Sequence, residues 1–197
     1  PEALARQAGS LLLSFEGSIC LWQGEELGQT DTALEFDELT DPQGIAFWPE
    51  PLGRDNTRTP MVWDSSPNAG FTTGKPWLPV KPDQAARHVA GQAGVPGSVL
   101  EHYRAMLAYR RGSDALRTGR TRFLDLHEPV LGFLRGEGEG ALLCLFNLSP
   151  VALSVTVSGV QAPTGPSQNA VMEGGRLTLG PNAAAFLPVT GTVAVHD

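Results

Sequence analysis

Between residues 24 and 97 the chain meets proline at short intervals, and this stretch limits the folds open to all 197 residues. It contains Asp41-Pro42, Trp48-Pro49, Glu50-Pro51, Thr59-Pro60, Ser66-Pro67, Lys75-Pro76 and Leu78-Pro79. Each X-Pro pair pushes the residue before it away from helix, so the zone reads as mostly loop. Structureless loops beyond about 15 residues are uncommon inside compact domains and are usually functional or disordered. Trp48, Trp63 and Trp77, with Phe47 and Phe71, argue for order. An ordered aromatic loop suits a sugar, whose C–H faces stack on rings. For any one ring the simpler role is to pin the loop to its scaffold.

The flanks must then supply the fold. Ala3, Leu4, Ala8, Leu11, Leu12 and Phe15 follow helical spacing, and Gly17 stops that helix. Ser18-Ile19-Cys20-Leu21-Trp22 is a continuous apolar run ended by Gly24, the pattern of a strand buried on both faces. One helix–strand repeat cannot make a sheet, so its partner strands come from elsewhere. Past the loop, Ser98 with Glu101 three residues on predicts a capped helix over 98–111, closed by Gly112. From 120 onward Arg120–Leu126, Val130–Arg135, Ala141–Leu148, Leu153–Val157, Arg176–Leu179 and Ala183–Val189 read as short strands, with Gly136–Gly140 as a hairpin tip. Strands without helices predict an antiparallel β-sandwich. The expected class is α/β plus all-β, with an α/β remnant over 1–118 and a sandwich over 119–197.

Composition narrows the partners. Apolar residues make up 41% and charged residues 18%, an ordinary globular balance. The net charge of −7 disfavours nucleic acid and anionic membrane, which call for basic patches, and leaves neutral solutes open. No apolar run approaches the roughly 20 residues of a membrane span. Cys20 and Cys144 lie in apolar stretches and are expected as buried thiols in a reducing cytoplasm. His88, His102, His127 and His196 have no metal-ligand spacing, so neither metal nor cofactor is expected. The start, Pro1-Glu2-Ala3-Leu4, has neither an initiator methionine nor a signal pattern and reads as if entered in mid-helix.

The polar residues that could carry chemistry are Glu25, Glu26, Arg54, Asp55, Arg58, Asp64 and Asn68. Glu25 and Glu26 follow the apolar run directly, where binding loops begin in a barrel. Arg54 and Arg58 lie four residues apart; either could bind hydroxyls or a carboxylate, but spacing alone favours loop-bracing ion pairs. A retaining glycosidase needs two carboxyl groups about 5–5.5 Å apart. Adjacent Glu25 and Glu26 would point apart in an extended segment, and Asp55 and Asp64 have no evident partner, so no catalytic pair is expected.

In series these segments resemble glycoside hydrolase family 13, especially its oligo-1,6-glucosidase and α-glucosidase branch. Leu21-Trp22-Gln23-Gly24-Glu25-Glu26-Leu27-Gly28 is similar to that family's eighth barrel strand and following loop. Gly53-Arg54-Asp55-Asn56-Thr57-Arg58-Thr59-Pro60-Met61-Val62-Trp63-Asp64 resembles the loop before the eighth helix, with Val62 replacing the commoner Gln. Asn68–Thr72, Lys75–Val80 and Ser98–Gly119 continue the match in order. The resemblance implies the C-terminal remnant of a (β/α)8 barrel, comprising last strand, long loop and last helix, followed by the sandwich. It implies retaining action on short α-linked gluco-oligosaccharides, with the catalytic Asp, Glu and Asp ahead of Pro1 in a missing N-terminal barrel portion. It assigns Arg54 first, then Arg58, to the wall of the terminal glucose pocket. Glu25, Glu26, Asp55, Trp63 and Phe71 support that wall. A non-catalytic sugar-binding or regulatory module and one half of a split glucosidase remain as alternatives. Within the family so do a transglucosylase, a sucrose isomerase and a trehalose synthase.

Overall fold

The structure, a computed structural model, describes residues 2–196. Helices run over α1 (Glu2–Ser14), α2 (Pro42–Ala46), α3 (Pro82–Ala85), α4 (Val89–Gln92), α5 (Val99–Gly112) and α6 (Asp114–Thr118). Strands run over β1 (Thr121–Phe123), β2 (Val130–Arg135), β3 (Leu142–Asn147), β4 (Leu153–Val160), β5 (Gln168–Glu173) and β6 (Arg176–His196). Two compact units emerge: residues up to Leu21 with those from His102 onward, and residues Trp22–Glu101. None of the described helices is long and apolar enough to cross a membrane.

In the first unit the sandwich is built around β6. Its middle pairs with β3, Cys144 opposite Phe186, and β3 pairs with β2, which pairs with β1. Its start lies between β5 and β4, Leu177 opposite both Met172 and Val155, and its end returns to β4, Ser158 opposite Ala194. One strand therefore serves both layers. The change of layer falls at Gly180-Pro181-Asn182, where Asn182 takes a φ of 51°. Val130, Leu134, Leu143, Leu145 and Leu187 from one layer meet Val155, Val157, Leu177 and Leu179 from the other. Each such side chain contributes about 2 kcal/mol by burial.

The alternate residues of β2, β3 and β6 point to the helices, which is why β3 is buried along its whole length. Phe15 stacks on Phe133 at 5.7 Å, Phe133 on Phe146 at 5.8 Å, and Tyr109 meets Phe186 at 5.5 Å. Burial on this face pushes the Cys144 thiol up to about 12. Gly9 admits the ring of Tyr103, which a Cβ there would meet at 2.5 Å. Arg135, 0% exposed, donates to the Ser14, Leu116 and Gly119 carbonyls at the ends of α1 and α6.

Several expectations change. Ser18–Trp22 forms no strand; Leu21 and Trp22 are exposed, as is Cys20, which corrects the buried-thiol reading for that residue. A strand is stable only with ladder partners, and among the described residues none reaches this segment. The two expected strands over 176–189 are one, continued to His196. β5 went unpredicted because an edge strand of sequence Gln-Asn-Ala-Val-Met-Glu has little apolar pattern. The Ser98 cap is present, donated to by Glu101 N at 3.2 Å, and the Glu101 carboxylate accepts from Gly94 N at 2.8 Å.

His102, buried on α5, bonds Ser10 at 2.7 Å through Nε2. Burial, and secondly the Arg6 guanidinium, lower its pKa from 6.5 to about 4, against a hydrogen bond to the Arg6 backbone. The unfolded chain therefore binds a proton between pH 6.5 and 4 that the folded chain does not, and stability falls as pH drops through that window. About 1 kcal/mol should be lost between pH 7 and pH 5, after allowance for partial solvent access. Urea unfolding of wild type and His102→Gln at both pH values checks this; an equal loss in the variant would show that another group titrates.

Candidate functional site

The site residues named from the sequence lie in the Trp22–Glu101 unit. Its small core is Leu27, Val62, Ala69 and Leu100. Around Leu27, Gly24 (φ 97°) and Gly28 (φ 67°) bracket a 3-10 turn, Glu25–Leu27, whose hydrogen bonds need the left-handed backbone that glycine adopts freely. Glu26 turns back to accept from Gly24 N at 2.9 Å. Glu25 Oε2 is buried and receives no hydrogen bond. A cavity of about 190 Å³ separates this turn from residues 56–62, lined in part by Glu25, Gln29, Asp31 and Asn56.

The arginine loop is held by two aspartates, each accepting from the backbone of the other's segment. Asp55, 4% exposed, accepts from Thr40 N at 2.5 Å, Asp41 N at 2.7 Å and Thr40 Oγ1 at 2.9 Å. Asp41 caps α2 by accepting from Gln43 N at 2.9 Å, and also accepts from Arg54 N at 2.9 Å. The two backbones meet at Gly44 and Gly53, where a Cβ on Gly53 would lie 2.7 Å from Gly44 Cα. Only glycine permits that approach. Asn56 ties the turn to Asp31 at 2.9 Å.

Electrostatics separate support from presentation. Burial would raise the Asp55 pKa, but the Asp41 and Thr40 donors outweigh it and hold the carboxyl below its ordinary value. Hydrogen bonds from Arg54 and Gln43 lower Asp41, and those from Ser66 lower Asp64. A general acid needs the opposite shift. These carboxylates hold the loop in shape and are poorly suited to donate a proton. Arg54 and Arg58 are exposed, and neither guanidinium makes an ion pair with a carboxylate among the described residues. Among the described residues the close bracing ion pairs expected from spacing are not formed, although the Arg58 charge helps lower Asp41; carboxylate-to-backbone bonds brace the loop. Among the described residues no cluster of three or more His, Cys, Asp or Glu is arranged to hold a metal.

Trp63 is half exposed, and its backbone N–H bonds Ala69 O at 2.8 Å. Phe71 meets Trp77 edge to face at 5.0 Å. Asn68, Ala69 and Gly70 are all left-handed, with Asn68 bonding Thr72 O and Gly74 O. Sequence reasoning placed the arginine loop but missed Thr40, Asp41, Gly44 and Gly53. Asp41-Pro42 carried the available signal, a capping residue followed by proline at the first helical position.

The family model for the alpha-amylase catalytic domain matches residues 2–119. A probable alpha-glucosidase of Rhizobium meliloti is 46% identical over 151 residues, covering 77% of this chain and 27% of that protein. An oligo-1,6-glucosidase of Heyndrickxia coagulans is 32% identical, covering 76% of this chain and 30% of that protein. The crystal structure of an alpha-glucosyl transfer enzyme, XgtA, superposes with a TM-score of 0.88 at 41% identity, covering all of this chain and 36% of that one. The trehalulose synthase MutB of Pseudomonas mesoacidophila MX-45 gives 0.82 at 29% identity, covering 95% and 38%. The chain thus spans about a third of the length of these relatives. On the match over residues 2–119, the chain belongs to the alpha-amylase family, glycoside hydrolase family 13.

Proposed function

We propose that this chain is the C-terminal portion of a retaining α-glucosidase acting on short α-glucosides, with residues 1–118 closing the catalytic barrel and 119–197 forming the sandwich. The observation that carries this reading is the division of labour in the loop: Asp41 and Asp55 grip backbone N–H groups, while the Arg54 and Arg58 guanidinium groups stand exposed, with no close ion pair among the described residues. Arg54 binds hydroxyls or a carboxylate at the terminal glucose, and Arg58 acts beside it. Glu25, Glu26, Asp55, Trp63 and Phe71 shape the wall. The nucleophile, acid/base and stabilising carboxylate come from a barrel portion that this chain does not carry, and the setting is the cytoplasm, where Cys20 and Cys144 stay unpaired.

The chain alone should not turn over p-nitrophenyl α-glucoside. Substituted for the matching part of the Rhizobium meliloti relative, it should yield an active chimera, and Arg54→Lys there should raise KM about tenfold. An active isolated chain, or a folded but inactive chimera, overturns the reading. Product analysis with maltose as acceptor separates hydrolysis from transfer, an open choice given XgtA and MutB among the relatives. The exposed rings of Trp63 and Trp77 favour a second reading as a sugar-binding module, which predicts saturable calorimetric heat with isomaltose from the chain alone.

A further inference from the structure

Trp22 is 51% exposed and Trp77 is 61% exposed, so burial alone does not account for how they are held. Each indole has one polar hydrogen. Trp22 Nε1–H donates to the Thr57 carbonyl at 3.1 Å, and Trp77 Nε1–H donates to the Arg58 carbonyl at 3.0 Å. These carbonyls are consecutive and lie at the end of the Asp55–Thr57 turn, where helical carbonyls lack an internal partner. Two side chains from distant parts of the sequence thus reach one point of the arginine loop.

Each indole is itself fixed. Trp22 enters the glycine-bracketed Glu25–Leu27 turn, whose Leu27 lies in the small core. Trp77 is set by Phe71, which follows the left-handed run Asn68–Gly70. Gly70 can take no other residue there, since a Cβ would meet Asp64 Oδ2 at 2.7 Å and its φ of 70° is left-handed. The direction of a peptide carbonyl fixes the ψ of its residue. Holding two in succession sets the backbone that aims Arg58 and, one turn earlier, Arg54.

We propose that Trp22 and Trp77 are positioning residues, whose indole N–H groups hold the arginine loop in the conformation that presents Arg54 and Arg58 to the sugar. The proposal rests on the reading of that loop as the sugar-facing wall. Trp22→Phe and Trp77→Phe keep an aromatic ring and remove the donor with part of the indole; because both side chains are more than half exposed, the donor is the larger loss.

The test measures hydrogen–deuterium exchange over residues 54–62 in this chain. The double variant should exchange about tenfold faster there, the equivalent of one net hydrogen bond, with residues 102–112 unchanged. In the chimera with the Rhizobium meliloti relative, the double variant should raise KM about tenfold and leave kcat within about threefold. Exchange equal to wild type overturns the tethers, however the chimera behaves, and faster exchange with an unchanged KM overturns the positioning role. A wild-type chimera without activity instead counts against the sugar-facing reading, so the two failures are distinguishable.

Discussion

Replacing Arg135 by alanine is expected to destabilise the sandwich unit by about 3 kcal/mol or more, read as a lower urea midpoint at unchanged slope. The guanidinium is wholly buried, yet it answers to carbonyls and not to a carboxylate. Those carbonyls close α1 and α6, where the helix dipole is negative and the last C=O groups lack partners. Arg110 does the same nearby, donating to Leu13 O at 2.8 Å, Phe15 O at 2.9 Å and Gly17 O at 2.9 Å. Without Arg135, several dry acceptors lose their donor, each at a cost of about 1–3 kcal/mol. Arg135→Met separates the contributions, because it keeps the apolar stem and removes the donors. If that variant matched wild type, packing rather than capping would explain the burial.

The second large effect is expected at Asp55. Asp55→Asn retains the shape but offers one good acceptor where the carboxylate offers two, and it turns an amide N–H₂ toward backbone donors. The loop clasp should weaken by about 2 kcal/mol. Trypsin cutting after Arg54 and Arg58 reports it locally, since both arginines are exposed. The sign with pH follows from the depressed carboxyl. Its contribution is complete above the ordinary value of 3.8 and is lost only as pH falls through the lower folded value. Wild type should thus resist trypsin equally at pH 7 and pH 5, and the variant should be cut faster at both. Equal cutting of the two proteins would mean that the loop does not depend on this carboxylate.

Much of this fold was legible because its cues are local. Val130–Arg135 was bounded to the residue, and α1 ended near Gly17 as its spacing required. What escaped depends on partners. Ser18–Trp22 carries the composition of a buried strand, but composition cannot provide a neighbouring strand, and in this structure the segment stays open. The Asp41–Asp55 clasp joins residues 14 apart across a zone that local rules read only as loop. Proline, taken as a sign against helix, in fact starts α2 and α3 at their first turns. Arg135 gave no warning at all, since an arginine ending an apolar strand ordinarily points to solvent.

The passage of β6 through both layers also governs where this chain tolerates a break. New termini opened within Gly136–Gly140, between β2 and β3, would leave every rung of the sandwich in place. The same cut at residues 180–182 would divide β6 itself, parting its start beside β4 and β5 from its middle beside β3. A circular permutation or inserted domain therefore belongs at the glycine-rich hairpin, and the two layers must be inherited, or engineered, as one piece.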